Sequence, residues 1–127
     1  MSAIIGIGTD ITDVARIKRA YEDYGDRFLK RVFTQTEVDY CEGFGATKFV
    51  HYAARFAAKE AFSKAIGTGI RDGFSLHSVS IRNEASGKPV VELHGLMLER
   101  WGQYIVHVSL SHTADVALAV VILEAQP

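Results

Sequence analysis

The segment from Thr47 to Ile66 constrains the fold most, because it is long, rich in alanine and free of glycine and proline. Alanine is the strongest helix former, and Gly67 stands where a helix commonly ends. A rotation of about 100° per residue places apolar side chains on one stripe of this helix. The stripe contains Phe49, Tyr52, Ala53, Phe56 and Ala57. The rest of the chain must supply apolar partners for it.

The remaining elements show either the alternation or short apolar runs typical of strands, or the apolar spacing typical of helices. The predicted elements are, in order, a strand at 3–10, helices at 14–24, 26–33 and 35–42, the long helix at 47–66, strands at 79–82 and 90–93, a helix at 96–104, and strands at 106–110 and 116–123. This order does not alternate strictly between strand and helix. It predicts an α+β fold with a largely antiparallel sheet that helices cover on one face.

Length and composition predict that residues 1–127 form one folded domain. The chain has 127 residues, of which 48% are hydrophobic and 23% charged, which excludes a disordered or fibrous class. The net charge of −1 gives no overall field that would attract nucleic acid or an anionic membrane. We therefore expect neither as a partner, and a polyanionic ligand would need a local basic patch.

The single cysteine, Cys41, cannot form a disulfide within the chain and has no metal-site spacing around it. An inert, partly buried thiol is the expected state. The apolar run before Asp10 lacks the basic start of a signal peptide, and no stretch has the length of a membrane-spanning helix. These features predict a cytoplasmic protein.

A carboxylate, Glu60, lies in the middle of the apolar stripe of the long helix. Burying an ionised carboxylate is costly unless it is paired or bound to a cation. In one interpretation Glu60 forms an ion pair with Lys64, one turn further on. In another, Glu60 joins Asp10 at the end of the first strand, and the two carboxylates bind Mg²⁺ together with substrate phosphate and water.

A second face of the long helix is basic. Lys48, Arg55 and Lys59 fall within about 40° of one another on the helical wheel. The glycine-rich segment at 67–73 follows and offers backbone N–H groups to oxyanions. A phosphate-rich ligand would fit this face, although a solvated basic surface is the alternative.

Other motifs are weaker. Gly6-Ile7-Gly8 lacks the third glycine of a dinucleotide-binding fingerprint, and the 67–73 segment lacks the lysine of a Walker motif. His112 lies at a turn between two strands without a nucleophile elbow. An ordinary turn residue is the simplest interpretation of His112.

Two motifs taken together resemble a known family. They are Gly6-Ile7-Gly8-Thr9-Asp10-Ile11 in the first strand and the Arg55–Ala65 stretch, RFAAKEAFSKA, which runs into Gly67-Thr68-Gly69-Ile70. Gly87-Lys88-Pro89 and Val108-Ser109-Leu110-Ser111-His112-Thr113 extend the match. With this spacing the chain closely resembles the holo-acyl-carrier-protein synthases, the short phosphopantetheinyl transferases, over nearly its whole length.

The resemblance implies the 4′-phosphopantetheinyl transferase fold and an activity. The activity is Mg²⁺-dependent transfer of 4′-phosphopantetheine from coenzyme A to a serine of apo acyl carrier protein, which supports fatty acid biosynthesis and releases adenosine 3′,5′-bisphosphate. The resemblance also implies a homotrimer, with active sites at the subunit interfaces. Gly87-Lys88-Pro89 and His112 would then serve the ligand of a neighbouring subunit.

The resemblance also implies roles for individual residues. Asp10 and Glu60 would hold the metal, and Glu60 and Lys64 would be catalytic, with Glu60 or a metal-bound water that it orients as the base. The residues implied to bind coenzyme A are Arg55, Lys59, Lys64, Gly67, Thr68, Gly69, Lys88, Pro89 and His112. The basic residues Arg16, Arg27 and Arg31 on the first helices would complement an acidic carrier protein.

Two other functions remain open from the sequence. A non-catalytic module that binds a nucleotide or coenzyme A would keep the basic face but would tolerate loss of Asp10 and Glu60. A longer type of phosphopantetheinyl transferase modifies polyketide or peptide synthase carriers. That type has two copies of the unit, where this chain has one.

Overall fold

The computed structural model describes residues 3–70 and 74–127, so that Arg71, Asp72 and Gly73 of the predicted loop lie outside the described residues. The elements are β1 (Ala3–Asp13), α1 (Val14–Tyr24), α2 (Asp26–Val32), α3 (Gln35–Glu42), α4 (Lys48–Ala65), β2 (Val79–Asn83), β3 (Pro89–Leu93), α5 (Gly95–Trp101), β4 (Ile105–His112) and β5 (Val116–Ala125). Short 3₁₀ turns at Gly45–Thr47 and Leu76–Ser78 precede α4 and β2. The predicted α+β class is confirmed.

The described strands form two antiparallel sheets instead of one. A three-stranded sheet has the order β1-β5-β4, and β2 pairs with β3 in a two-stranded sheet. Pairing between β1 and β5 continues as far as Asp13 and Val116. The first strand therefore runs beyond Asp10, where the sequence analysis ended it, because Thr12 is buried and keeps its place in the ladder.

Strand β1 lies directly against helix α4. Exposure alternates along β1, so that Gly6, Gly8, Asp10 and Thr12 lie on the less exposed side. A Cβ atom added at Gly8 would overlap the backbone carbonyl oxygen of Ala61. Close approach of two backbones is a common reason for glycine within a strand. The approach brings Asp10 to the surface of the helix.

Helix α4 is buried on nearly all sides. Toward its C-terminus it packs in a hydrophobic cluster with β2, β4 and β5, which includes Phe62, Val79 and Val121. Toward its N-terminus it packs against α1, α2 and α3 in a second cluster, which includes Ile17 and Tyr52. The single apolar stripe drawn from the sequence is therefore too narrow a description of this helix.

The outer face of the three-stranded sheet is apolar and exposed. Ile7 and Ile11 of β1 are 63% and 68% exposed, and their partners on β5 are Ile122 and Leu118. Contiguous exposed apolar surface of this kind marks interaction sites. Among residues 3–70 and 74–127, no helix has the length and apolar character needed to cross a membrane.

Candidate active site

The crossing of β1 and α4 brings together the two acidic residues singled out in the sequence. The Asp10 carboxylate accepts a hydrogen bond from Thr12 Oγ1 at 2.7 Å. Its other oxygen lies 3.1 Å from Lys64 Nζ, which also donates to the Thr9 carbonyl oxygen at 3.0 Å. Lys64 thus pairs with Asp10 across the strand–helix contact. An internal Glu60–Lys64 pair is not what organises these groups.

Glu60 is half-buried beside Asp10. Burial raises the pKa of the Glu60 carboxyl above its ordinary value, and the negative charge of Asp10 raises it further. The positive charges of Arg16 and Lys64 act against this rise in pKa. Two carboxylates whose negative charges repel each other favour a bound cation between them.

A separate cavity of about 380 Å³ lies between α4, the β2–β3 hairpin and β4. Four residues predicted to bind the ligand line it: Arg55, Lys88, Pro89 and His112. The lining also includes Tyr40, His51 and Asn83, which the sequence analysis did not identify. They come from three different elements, and no local sequence signal connects them. Asp10, Glu60 and Lys64 are not part of the lining of this cavity.

Arg55 is the buried cation of this cavity. Its guanidinium lies 4.1 Å from the centre of the Tyr40 ring and donates to the His51 carbonyl oxygen and to the Asn83 side chain. Within the described part of the chain, Arg55 Nε is the buried side-chain polar atom without a hydrogen-bond partner. An unpaired buried donor requires an explanation, and an anionic ligand is one.

The imidazoles of His51 and His112 lie next to each other at this cavity, with ring centres 5.9 Å apart. The His51 ring also stacks on Phe44. Burial lowers the pKa of His51, and the charges of Arg55 and His112 lower it further. His112 thus faces a cavity and a second histidine, which is more than the sequence indicated for a turn residue.

The basic residues of the long helix do not form a solvated surface, which was one of the two interpretations of this face, because Arg55 and Lys59 are buried. Lys48 is held by Tyr21 and Glu42, with its ammonium over the Tyr21 ring. Lys59 is fully buried, and its ammonium donates to the Glu37 carboxylate at 2.8 Å. Burial lowers the pKa of Lys59, and Glu37 opposes that effect. The predicted phosphate contact of Lys59 therefore does not fit its position, because α3 and β2 cover this part of the helix.

In the described part of the glycine-rich segment, residues 67–70, two N–H groups differ from expectation. The N–H groups of Gly67 and Gly69 donate to the carbonyl oxygens of Lys64 and Ser63 at 3.1 Å each. They cap the helix, and both glycines have positive φ. Thr68 Oγ1 donates to the Gly69 carbonyl oxygen. In this structure the N–H groups of Gly67 and Gly69 are therefore not available to oxyanions.

The arginines assigned to a partner surface lie on α1 and α2. Arg27 and Arg31 are one helical turn apart and line a groove with Tyr24 and Phe28. Arg16 is also exposed, and its guanidinium lies 5.4 Å from the centre of the Phe56 ring. Arg16 is therefore on the side of the molecule that carries Glu60, as the effect of Arg16 on the Glu60 pKa also indicates.

Comparison with known proteins identifies the class to which this fold and site belong. A model of the 4′-phosphopantetheinyl transferase superfamily matches residues 6–121. The chain therefore belongs to this superfamily.

Within the superfamily, proteins similar to this chain include holo-[acyl-carrier-protein] synthases. The one from Solibacter usitatus is 47% identical over 124 residues, covering 95% of this chain and 98% of that protein. A crystal structure of the Neisseria meningitidis synthase has a TM-score of 0.84 and 38% identity, covering 95% of this chain and 98% of that one. The synthase from Bacillus anthracis in complex with CoA (3′,5′-ADP) has a TM-score of 0.82 and 37% identity, covering 97% and 98%.

Proposed function

We propose that this protein transfers 4′-phosphopantetheine from coenzyme A to a serine of apo acyl carrier protein and releases adenosine 3′,5′-bisphosphate. The observation that carries the proposal is the meeting of Asp10, Glu60 and Lys64 where β1 crosses α4. The names of the similar synthases indicate the substrates, and the Bacillus anthracis synthase is in complex with CoA (3′,5′-ADP). The product supports fatty acid biosynthesis.

The two carboxylates fit a magnesium ion. Glu60 is half-buried next to Asp10, and its raised pKa reports the cost of placing two negative charges together. No cluster of three or more His, Cys, Asp or Glu side chains suited to a metal occurs in the described residues. Mg²⁺ commonly binds through one or two carboxylates, with phosphate and water completing its octahedron. When bound here, the ion would neutralise charge on the pyrophosphate.

The chain's own residues then have separate tasks. Lys64 Nζ is half exposed beside Asp10 and is placed to stabilise negative charge that develops on the transferred phosphate. We assign the proton of the incoming serine to the Glu60 carboxylate, which accepts it directly or through a water. Phosphoryl transfer requires positioning and charge stabilisation above all, so these few groups suffice.

The cavity lined by Arg55, Lys88 and His112 is the proposed site for the charged nucleotide end of coenzyme A. Arg55 supplies the unpaired buried Nε–H, and Lys88 and His112 add charge or donors at the rim. Pro89 and Tyr40 supply apolar surface. A second candidate function, binding of coenzyme A without transfer, would need this cavity but not the two carboxylates.

A homotrimer with shared sites explains two observations. The cavity lining does not include the carboxylates, so in one subunit the two halves of the site lie apart. The apolar outer face of the sheet, with Ile7 and Ile11, is exposed in the single chain. If copies pack through this face, the Lys88–His112 region of one subunit can serve the carboxylates of another. The whole of residues 1–127 would act as one domain in this assembly.

Arg16, Arg27 and Arg31 form the proposed surface for the carrier protein. Carrier proteins are acidic, and exposed arginines of complementary charge steer such a partner. Arg16 lies nearest to Glu60 and would meet the partner close to the modified serine. A cytoplasmic setting is consistent with Cys41, a buried free thiol.

Incubation with coenzyme A, Mg²⁺ and an apo carrier protein, followed by mass spectrometry of the carrier, tests the function. We expect the carrier to gain one phosphopantetheine group. Asp10→Ala and Glu60→Ala should each reduce the rate by about 100-fold or more while the melting temperature shows a folded protein. Glu99→Ala, which removes an exposed carboxylate on α5, is the control and should have the wild-type rate. Coenzyme A binding without transfer by the wild type would favour the binding-module alternative.

A further inference from the structure

A buried ion pair between α3 and α4 has no part in the function described so far. Glu37 Oε1 and Lys59 Nζ are 2.8 Å apart, and both side chains are 0% exposed. Neither residue lines the cavity that contains Arg55. Replacing a buried ion pair with apolar residues is often neutral or stabilising, so stability alone is a weak reason for this pair.

Every polar group of the pair has a partner, and most partners belong to one segment. The Lys59 ammonium donates to the carbonyl oxygens of Leu76 and Val79 at 3.0 and 2.7 Å. Glu37 Oε2 accepts the Ile81 N–H at 2.9 Å. The two members of the pair thus hold the same short length of backbone, one through its carbonyl groups and the other through an N–H group.

That length of backbone leads directly into a wall of the cavity. It ends in Asn83, whose side chain accepts from Arg55 and donates to the Gly87 carbonyl oxygen at 2.9 Å. The next residue, Lys88, lines the cavity. Lys59 lies one turn beyond Arg55 on α4, so the same helix supplies the buried arginine and the ammonium that holds the opposite wall.

Apolar packing alone would leave the position of the β2–β3 hairpin relative to α4 less well defined. Val79 and Ile81 are buried in the core, but hydrophobic contact is not directional and permits sliding along a helix. A two-stranded hairpin is also only marginally stable by itself. The three charge-assisted hydrogen bonds to Leu76, Val79 and Ile81 define one position of β2 relative to α4.

We infer that Glu37 and Lys59 are positioning residues, which hold the β2–β3 hairpin against α4 so that Asn83 and Lys88 face Arg55 across the coenzyme A cavity. The inference rests on the proposed function for the identity of the ligand. Neither residue touches that ligand, and their effect on the reaction passes through the hairpin. The pair should therefore govern the apparent affinity for coenzyme A and not the chemistry at Asp10 and Glu60.

The test is the double variant Glu37→Gln/Lys59→Met, which removes both charges and leaves neither buried charge unpaired. We expect the KM for coenzyme A to rise about ten-fold while the KM for the carrier protein and kcat change by less than about two-fold. Glu42→Gln is the matched control, because Glu42 is also an ion-paired glutamate of α3 but contacts Tyr52 and Lys48 instead of the hairpin. Its KM for coenzyme A should equal that of the wild type.

Amide NMR spectra of the same proteins give a reading that does not depend on activity. The Ile81, Asn83 and Lys88 signals should shift in the double variant, while that of Asp10 should not. Unchanged hairpin signals and an unchanged KM in a folded double variant would overturn the inference. If the double variant does not fold, Lys59→Arg, which keeps the charge, must show the same shifts for the inference to stand. A wild type that neither binds coenzyme A nor modifies the carrier would refute the proposed function. The amide signals of the hairpin would then still show whether Glu37 and Lys59 position β2 against α4.

Discussion

Glu60 combines two demands at the scale of a single residue. Its carboxylate is half-buried next to Asp10, so ionising it costs the folded protein free energy, yet the proposed binding of a divalent cation requires the ionised form. Without a bound cation, the ionised Glu60 carboxylate therefore lowers the free energy of unfolding. Such a conflict between local stability and the arrangement of charged groups is typical of functional sites.

Glu60→Gln should stabilise the metal-free protein at neutral pH. The pKa of Glu60 is raised in the folded state, so the bound proton stabilises that state fully at low pH and this stabilisation is lost as pH rises through the raised pKa. Glutamine stays neutral at every pH. In EDTA, denaturant unfolding should give the variant a higher free energy of unfolding at pH 7.5, with the difference shrinking toward zero near pH 4.

Magnesium should stabilise the wild type but not Glu60→Gln. A ligand that binds only the folded state stabilises it, so millimolar Mg²⁺ should raise the melting temperature of the wild type and leave that of Glu60→Gln unchanged. Equal Mg²⁺ responses of the two proteins would show that the ion does not bind at Glu60.

At the scale of elements, the contact between β1 and α4 depends on residues without side chains. Cβ atoms at Gly6 and Gly8 would meet the backbone of Ala65 and Ala61, and backbone atoms cannot move aside as a flexible side chain can. The distance between the strand and the helix, and with it the meeting of Asp10 and Glu60, follows from these two glycines.

Gly8→Ala should therefore lower the free energy of unfolding by about 1–3 kcal/mol, the usual cost of overpacking, and reduce transfer. Chemical denaturation and the carrier-modification assay measure the two effects. Gly43→Ala is the control, because Gly43 has a helical φ of −63° and a Cβ there would be 3.4 Å from the nearest atom. A Gly8→Ala protein as stable and active as the wild type would show that the strand can move away from the helix freely.

Helix α2 offers a test of the carrier surface. Arg27→Glu/Arg31→Glu should raise the KM for the carrier protein about ten-fold at low salt, without a comparable change for coenzyme A, because exposed charges act on encounter. The effect should weaken as salt screens the charges. Arg100→Glu, at the end of α5, is the matched reversal elsewhere on the surface and should leave both constants unchanged. Equal losses for both substrates would place Arg27 and Arg31 in the coenzyme A site.

The sequence predicted most elements because their signals are local. Helix α3 begins at a capping box of Thr34 and Glu37, which is a local pattern, and α4 runs nearly as the alanine-rich segment indicated. The alternative of a solvated basic face is wrong for a non-local reason, because Lys59 is buried by other elements. A helical wheel gives the angular position of Lys59 on the helix but not which elements cover that side. Its partner Glu37 belongs to the local capping box of α3, and that pattern does not indicate a contact with α4.

The candidate site divides in the same way. Asp10 and Glu60 could be brought together from the sequence, since one ends an apolar run and the other interrupts an apolar stripe. The pairing of Lys64 with Asp10, and the contribution of Tyr40 and Asn83 to the cavity, depend on how distant elements pack. Local patterns contain no information on those contacts.

For the whole molecule, the apolar face of the three-stranded sheet leads to a prediction about mass. Light scattering should give three times the mass of one chain. Mixing inactive Glu60→Ala chains with inactive His112→Ala chains should restore part of the activity, because a mixed trimer contains sites with both wild-type residues. Ile7→Lys, which places a charge on this face, should lower mass and activity together. A monomer fully active at nanomolar concentration would contradict the shared site.

The buried thiol of Cys41 has a practical consequence for following how this molecule opens. Cys41 is 0% exposed, and burial raises its pKa to about 12, so that alkylating reagents meet neither an accessible sulfur nor a thiolate in the closed protein. Modification must wait until α3 separates from α4. Because the chain has one cysteine, the rate of alkylation in native buffer measures how often that separation occurs, without an introduced label.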